Sequence, residues 1–206
     1  MSAPAPPGRI AGLILAGGAS RRMGSPKALL HIGSETFVDR LVGSFSPVVD
    51  LLIVVLGHDA ELVRRGIETR DVVRFAVNRE PERGMLSSLQ CGLRALPTAT
   101  EAVIFTPVDY PNCKASTVAA IADAFRNSAC DVVIPVHFGL KGHPVCISRQ
   151  VIDELLEMPP TGDARDVVRG HRDRTMFVDV DDCGITTDVD TPEDYRNLLS
   201  TVMAPS

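Results

Sequence analysis

The sequence predicts a three-layer α/β/α fold with a mostly parallel central sheet. Short β-branched runs alternate along the chain with amphipathic segments, which is the pattern of strand–helix–strand units. Most of the runs are apolar at every position, as strands of a sheet covered on both faces require. The length of 206 residues, with 45% hydrophobic and 23% charged residues, suits one globular domain. We expect that domain to span residues 9–203, after a disordered, proline-rich tail at residues 1–8.

The same patterns locate the individual elements. The predicted strands are residues 10–15, 51–56, 73–77, 102–108, 131–136, 144–148 and 176–180. The predicted helices are residues 35–45, 59–67, 85–96, 114–128, 149–158, 164–171 and 192–202. Asp59 and Thr191 stand where helix N-caps are expected, and Pro192 suits a first helical position.

Composition excludes several classes of function. A net charge of −5, no tryptophan and 4% aromatic residues argue against a nucleic-acid binder, which needs a basic face or stacking side chains. The apolar runs are too short to span a bilayer, and the N-terminus lacks the order of a signal peptide. The five cysteines form no CxxC pair, so neither a disulfide framework nor a zinc site is indicated. We expect a cytoplasmic protein with no nucleic-acid or membrane partner.

The stretch "LILAGGASRRMGSPKALL" follows the first predicted strand and has the chemistry of a phosphate site. Gly17 and Gly18 leave the strand without Cβ atoms, so backbone amides can turn toward an anion. Arg22 and Lys27 add a planar fork and a mobile point charge, and Gly24 between them permits a bend. The spacing fits neither the Walker A pattern nor GxGxxG. In a parallel sheet, ligands bind beyond the carboxyl ends of the strands, where this loop begins.

This loop resembles the LAGG/LAAGxSxRMGxxK signature of nucleotidyltransferases that use a nucleoside triphosphate. Within them the chain is most similar to the MobA-like NTP transferases, the molybdenum cofactor guanylyl- and cytidylyltransferases, over residues 9–200. The resemblance implies a Rossmann-like sheet of the nucleotide-diphospho-sugar transferase type, with the loop wrapped around the triphosphate. By match, Arg22 and Lys27 are catalytic, and Arg21 has a supporting role. The matched nucleotide-binding residues in this part of the chain are Leu15, Ala16, Gly17, Gly18, Arg22 and Lys27.

Two acidic positions are candidates for a metal site. Nucleotidyl transfer crowds negative charge, which Mg²⁺ held by one or two carboxylates neutralises. Asp109 follows a buried run directly, while Asp188 and Asp190 precede the last helix. The resemblance implies one acidic residue in each place, which makes Asp109 a catalytic residue and, with Asp190, a ligand of Mg²⁺. A capping role for Asp190 and a turn or metal role for Asp188 remain alternatives, whereas Asp181 and Asp182 are expected as solvated loop charges.

The stretch "NREPERGMLSSLQCGL" is the candidate base pocket. Asn78 ends a predicted strand, Gly84 opens a helix, and Ser88 lies in the first turn of that helix. In the related transferases this segment lines the base pocket, so Asn78, Gly84 and Ser88 are expected nucleotide contacts. Ordinary capping chemistry is an equally good interpretation of these residue types.

Two further stretches resemble the acceptor side of the family. "KGHPVCIS" carries a G-x-P element with His143 at its variable place, and "TGDARDVVRGH" offers Arg165 and Arg169 to an acceptor phosphate. The resemblance implies transfer of a nucleoside monophosphate from GTP or CTP to molybdopterin, with molybdoenzymes or their chaperones as further partners. The LAGG form is commoner in the guanylyl branch, but "TPVDYP", "GHPV" and "ARDVVR" look more like the cytidylyl branch, so both nucleotides stay open.

Three other functions remain alternatives. A sugar phosphate or another phosphorylated alcohol could replace molybdopterin as the acceptor. A NAD(P)-dependent oxidoreductase is disfavoured because GxGxxG is absent and the loop is rich in arginine. A silent nucleotide-binding module is disfavoured because Arg22, Lys27 and both acidic residues are all present.

Overall fold

The computed structural model describes residues 9–203, and the predicted tail at residues 1–8 lies outside the described residues. In chain order the strands are β1 (Ile10–Ala16), β2 (His31–Ile32), β3 (Glu35–Thr36), β4 (Leu51–Leu56), β5 (Arg74–Val77), β6 (Ala102–Pro107), β7 (Val132–His137), β8 (Leu140–Lys141), β9 (Val145–Ser148) and β10 (Thr175–Asp179). The α-helices are α1 (Phe37–Phe45), α2 (Ala60–Gly66), α3 (Met85–Arg94), α4 (Ala115–Arg126), α5 (Arg149–Glu157), α6 (Ala164–Gly170) and α7 (Pro192–Met203).

The main sheet has the order β10-β7-β9-β6-β1-β4-β5, with β8 paired to β7. Strands β5, β4, β1 and β6 run parallel to one another, and β7 is parallel to β10. Strand β9 is antiparallel to both β6 and β7. The prediction of a mostly parallel sheet is therefore confirmed, with one reversed strand in its interior.

Helices cover both faces of this sheet, which confirms the predicted three layers. Alternate residues of the fully buried β1 face opposite layers, as the two-residue period of a strand requires. One core contains Ile14 of β1 with side chains of α1, α2, α4 and α7. The other contains Leu13 and Leu15 with side chains of α3 and α5, and α6 packs against it.

Several predicted boundaries are corrected. The helix predicted from residue 35 begins at Phe37, because Glu35–Thr36 pairs with His31–Ile32 in a short hairpin. Thr36 then serves as the N-cap, its hydroxyl accepting from the N–H of Asp39 at 3.1 Å. Asp59 precedes α2 as predicted, but it lies at φ 54° and its side chain makes no capping hydrogen bond. Thr191 does cap α7, accepting from the N–H of Asp194 at 3.2 Å.

The parallel order fixes where the chemistry can lie. Because β1, β4, β5 and β6 point the same way, the segments that follow them meet at one edge of the sheet. These segments begin at Gly17, Gly57, Asn78 and Val108. Within residues 9–203, no helix is both long and apolar enough to cross a membrane.

Candidate active site

A cavity of about 490 Å³ opens at this edge of the sheet, and we call it the first cavity. It is walled by the segments after β1 and β6, by the start of α3 and by the residue that precedes the α7 cap. Most of the predicted site residues line it: Leu15, Ala16, Gly17, Gly18, Arg22, Lys27, Gly84, Ser88, Asp109 and Asp190. Asn78 lies outside this lining and contacts the cavity only through other residues.

The loop of residues 17–27, the phosphate loop, is folded back on itself. Ser20 and Gly24 adopt left-handed backbone conformations at φ 47° and 70°. The N–H of Met23 donates to the Ser20 carbonyl at 2.9 Å, and the N–H of Lys27 donates to Ser20 Oγ at 2.9 Å. These contacts hold the two ends of the loop together and bring Lys27 back to the carboxyl end of β1.

The start of the phosphate loop is packed against the segment after β4. The N–H of His58 donates to the carbonyl of Gly17 at 3.2 Å. A Cβ atom on Gly57 would lie 2.5 Å from that carbonyl oxygen and 2.9 Å from Gly17 Cα, so only glycine fits here. The close backbone approach sets the height of the loop above the sheet.

Asp109 and Asp190, the acidic pair, both line this cavity. The N–H of Val189 donates to the carbonyl of Asp109 at 2.9 Å, which joins the two acidic segments through the backbone. Lys27 Nζ lies 2.5 Å from Asp190 Oδ1 and 3.6 Å from Asp109 Oδ2. Arg22 reaches Asp190 Oδ2 at 3.5 Å, but it is largely exposed. The predicted residues of the phosphate loop and of the acidic pair thus converge.

The Asp109 carboxyl is poorly satisfied within the protein. Its side chain is 26% exposed, and its Oδ1 atom is buried with no hydrogen-bond partner among the described residues. Burial raises the pKa of Asp109 above its usual value, the Lys27 ammonium opposes this effect, and the negative charge of Asp190 adds to it. A buried acceptor oxygen without a donor is the condition in which a bound cation is favoured.

The structure argues against the alternative that Asp190 caps α7. The cap of α7 is built by Thr191 and Asp194, whose carboxylate also accepts from the N–H of Asp190 at 3.1 Å. The Asp190 side chain is left to contact Lys27 and Arg22. Asp188 is exposed and does not line the first cavity.

The acidic pair fits a metal that completes its coordination with substrate. Within residues 9–203, no cluster of three or more histidine, cysteine or acidic side chains could hold a metal ion. Mg²⁺ in such enzymes is commonly held by one or two carboxylates, with substrate phosphates and water supplying the remaining ligands. Two carboxylates beside a phosphate loop match that arrangement.

The start of α3 forms another side of the first cavity. Gly84 precedes α3 at φ 101°, a conformation that side chains rarely adopt, and Ser88 lies one turn into the helix. A Cβ atom on Gly17 would lie 3.0 Å from Ser88 Oγ, so the hydroxyl sits against the start of the phosphate loop. Asn78 is 8% exposed and donates to the hydroxyls of Ser87 and Ser88.

A second cavity, of about 590 Å³, lies on the other side of the Gly84–Met85 segment, which lines both cavities. Its floor is apolar, formed in part by Leu89, Phe105 and Val145. Its basic side chains are Arg83, Lys141, Arg165 and Arg169. The predicted acceptor residues His143, Arg165 and Arg169 all line it.

The wall nearest the acidic pair is aromatic and uncharged. The rings of Tyr110 and His143 pack with centroids 4.8 Å apart. Burial lowers the pKa of His143 to about 4, with a backbone hydrogen bond at Phe105 opposing it and Arg165 adding to it. Burial and the neighbouring carboxylates raise the pKa of Tyr110 to about 12. The N–H of His143 donates to the carbonyl of Ile185 at 2.9 Å, tying this wall to the segment that carries Asp190.

Sequence reasoning missed some supporting residues. Asp182, expected as a solvated loop charge, is buried and accepts from Lys114 N at 2.8 Å and Thr117 Oγ1 at 2.6 Å, capping the start of α4. No local pattern could indicate this, because cap and helix are far apart in sequence. The tight contact of Gly57 was not predicted either, although a glycine directly after a strand is a signal of close backbone approach.

The sequence matches a family of known proteins. Residues 12–175 match the MobA-like NTP transferase domain. The chain is 24% identical to the molybdenum cofactor cytidylyltransferase of Escherichia coli K12 over 89% of this chain and 92% of that protein. It is 31% identical to the molybdenum cofactor guanylyltransferase of Mesorhizobium japonicum over 66% of this chain and 64% of that protein.

Solved structures give the same result. The crystal structure of Rv0371c from Mycobacterium tuberculosis H37Rv is 31% identical, with a TM-score of 0.82 over 93% of this chain and 97% of that one. A complex of Rv0371c with manganese superposes with a TM-score of 0.79 at 28% identity, over 94% of this chain and 99% of that one. Because the domain match covers most of the sequence, this chain belongs to the MobA-like NTP transferase family.

Proposed function

We propose that this protein is a nucleotidyltransferase of molybdenum cofactor biosynthesis, which transfers a nucleoside monophosphate from GTP or CTP to the phosphate of molybdopterin. The observation that carries the proposal is the convergence of Lys27, Asp109 and Asp190 in the lining of the first cavity. This reaction needs a loop that binds the triphosphate and carboxylates close to it, and the phosphate loop and the acidic pair supply these parts. Relatives named as cofactor guanylyl- and cytidylyltransferases support the assignment.

In this proposal the phosphate loop holds the triphosphate. Its backbone amides, Lys27 and Arg22 contact the β- and γ-phosphates and stabilise the pyrophosphate as it leaves. A phosphate oxygen of the acceptor forms a bond to the α-phosphorus, while the bond between that phosphorus and the bridging oxygen of the β-phosphate breaks. The attacking phosphate is already an anion, so no side chain has to remove a proton.

Asp109 and Asp190 are the proposed ligands of Mg²⁺. Once bound, the cation would neutralise charge on the α-phosphate and favour attack at phosphorus. The buried, unpartnered Oδ1 of Asp109 supports this role, since a carboxyl there gains a partner only from outside the protein. The relative Rv0371c has been crystallised with manganese, an ion of similar preference for oxygen ligands.

The second cavity is the proposed acceptor site, and its chemistry favours molybdopterin over a sugar phosphate. An apolar floor at Leu89, Phe105 and Val145 suits a flat ring system, whereas sugar hydroxyls there would lose their hydrogen bonds to water. Arg165 and Arg169 at the rim suit an acceptor phosphate. The shared Gly84–Met85 wall brings that phosphate close to the α-phosphate of a nucleotide in the first cavity.

The test is pyrophosphate release from each of the four ribonucleoside triphosphates, with and without Mg²⁺, using molybdopterin or sugar phosphates as acceptor. We expect turnover only with molybdopterin, Mg²⁺ and one of GTP or CTP. The Lys27→Ala variant should lose turnover, while Lys114→Ala, which removes the same charge from an exposed side chain outside the cavity lining, should not. Turnover with a sugar phosphate but not with molybdopterin would show that the acceptor is a sugar phosphate. No turnover and no nucleotide binding would refute the assignment.

A further inference from the structure

The side chain of Asn78 lies behind the first cavity and is bonded on both sides. It is 8% exposed, and its Oδ1 atom accepts from the N–H of Glu80 at 3.0 Å. Its Nδ2 atom donates to Ser87 Oγ at 2.9 Å and to Ser88 Oγ at 3.1 Å. One amide group therefore holds two neighbouring hydroxyls of the first turn of α3.

The orientation of this amide follows from its partners. A backbone N–H can only donate, so the Asn78 atom that faces Glu80 must be the carbonyl oxygen. The NH₂ group then faces the serines, and each of its two hydrogens is directed to one hydroxyl oxygen. Both serine oxygens are acceptors in these bonds.

The hydroxyl groups of Ser87 and Ser88 differ in whether the protein supplies a hydrogen-bond acceptor for their protons. Ser87 donates its proton to the carbonyl of Gly84 at 2.8 Å. Within the described chain Ser88 has no acceptor for its proton, and Ser88 lines the first cavity against Gly17. With its oxygen engaged by Asn78, the Ser88 hydroxyl is left to act as a hydrogen-bond donor toward a ligand.

We propose that Asn78 is a positioning residue that holds the Ser88 hydroxyl as a donor to the nucleotide base. The ligand atom at this position must then be an acceptor, a carbonyl oxygen or an unprotonated ring nitrogen. Guanine and cytosine each present such atoms, whereas an exocyclic amino group placed there would meet another donor. This inference rests on the proposed function, because it requires a nucleotide in the first cavity.

The experiment compares ligands with and without a base. Binding of GTP, CTP and inorganic tripolyphosphate, each with Mg²⁺, is measured by calorimetry for the wild type, Asn78→Asp, Ser88→Ala and Ser87→Ala. A carboxylate at position 78 keeps the bond from Glu80 but donates nothing, so the Ser88 proton turns toward it. The added negative charge repels both ligands through their phosphates, so we expect Asn78→Asp to weaken the preferred nucleotide about three- to tenfold more than it weakens tripolyphosphate.

Two comparisons separate positioning from a general structural effect. Relative to tripolyphosphate affinity, Ser88→Ala should lose as much nucleotide affinity as Asn78→Asp, and the double variant should lose little more, because both act through one contact. Ser87→Ala, which removes the other acceptor of the same amide, should bind nucleotide as the wild type does. If Asn78→Asp does not fold, the contrast between Ser88→Ala and Ser87→Ala still decides.

The inference is overturned if Asn78→Asp weakens tripolyphosphate and nucleotide equally, if the losses from positions 78 and 88 simply add, or if Ser88→Ala binds nucleotide normally. Its failure is distinguishable from failure of the proposed function. If only the inference fails, the wild type still binds nucleotide. If the proposed function fails, the wild type binds neither tripolyphosphate nor any nucleotide, and both are overturned.

Discussion

The Lys27 ammonium lies 2.5 Å from Asp190 Oδ1, and the same nitrogen is 3.6 Å from Asp109 Oδ2. One side chain of the phosphate loop therefore contacts both carboxylates. In the proposed reaction Lys27 binds phosphate and the carboxylates bind Mg²⁺, so the contact seen here has to break when the substrates bind. The proposal therefore implies that Lys27 and a divalent cation compete for the same oxygen atoms.

The Lys27→Met variant should bind a divalent cation more tightly than the wild type when no nucleotide is present. Asp190 is 47% exposed, so the lost ion pair is worth only about 0.5–1 kcal/mol, or about a two- to fivefold gain in affinity. The measurement is Mn²⁺ binding followed by electron paramagnetic resonance. Lys114→Met is the matched control, since it removes the same charge away from the acidic pair. Unchanged or weaker Mn²⁺ binding in Lys27→Met would contradict the competition.

Replacing Asp109 by asparagine should separate activity from stability. Burial raises the pKa of Asp109, with Lys27 opposing and Asp190 adding to the effect, so the ionised form is disfavoured by folding. At neutral pH the neutral isostere should therefore fold at least as stably as the wild type. Turnover should fall by about 10²–10³-fold, the usual cost of losing one charge-stabilising group.

The check on Asp109→Asn is thermal unfolding without metal, together with pyrophosphate release. Asp190→Asn is the matched variant, because Asp190 is half-exposed and paired with Lys27 and Arg22. It should lose activity too, but with no gain in stability. A clear fall in the melting temperature of Asp109→Asn would contradict this prediction, because it would mean that the Asp109 carboxylate stabilises the fold.

Much of this arrangement could be predicted because its signals are local. Apolar β-branched runs marked the strands, and the carboxyl-end rule placed the segments after β1, β4, β5 and β6 at one edge. That rule is the reason why Lys27 and Asp109 could be expected together before any contact was known, whereas Asp190 was expected beside them only because the resemblance implies an acidic residue there. Whether they bind a nucleotide and Mg²⁺ stays a prediction.

The rest could not be predicted because it depends on long-range contacts. Side-chain periodicity does not report strand direction, so the antiparallel β9 was invisible in the sequence. The β2–β3 hairpin has strands of only two residues, too short for any alternation. Asn78 follows β5 as expected, but its hydrogen bonds to Ser87 and Ser88 of α3 could not be read from the sequence.

Gly57→Ala should weaken triphosphate binding and lower stability. The new methyl group would meet the backbone of Gly17 at 2.5 Å, and backbone cannot move aside as a side chain end can. We expect a loss of about 1–3 kcal/mol, typical of forced overpacking, with the phosphate loop displaced. Tripolyphosphate binding and chemical denaturation measure the two effects.

Gly43→Ala provides the control for that substitution. Gly43 lies on the exposed side of α1, and a Cβ atom there would have nothing within 4 Å. The change should stabilise the helix by about 0.5–1 kcal/mol and leave tripolyphosphate binding unaltered. Similar behaviour of the two alanine variants would show that the Gly17–Gly57 contact does not set the loop.

His171 should make the stability of the region around the second cavity depend on pH. It follows α6, and its Nδ1 and Nε2 atoms lie 3.1 Å from Asp131 Oδ2 and 2.8 Å from Glu154 Oε2. Burial alone would lower the pKa of His171, but the hydrogen bonds to Glu154 and Asp131 raise it above its usual value. The ring thus links the end of α6, which lines the second cavity, to α5 and to the residue before β7, and these contacts favour its protonated form.

A histidine whose pKa is raised by folding stabilises the protein fully below its unfolded pKa of about 6.5, and this stabilisation is lost as pH rises through the folded value. His171→Gln should therefore cost most near about pH 6 and least near about pH 9. We expect about 1 kcal/mol at the lower pH because Glu154 is partly exposed, which corresponds to about 2–4 °C in melting temperature. His31→Gln, at an exposed site, controls for loss of a histidine. Neutral His171 can donate from only one nitrogen, so the melting temperatures of the wild type and His171→Gln should converge at high pH. A difference in melting temperature that stays the same at every pH would show that His171 is not charged between the two carboxylates.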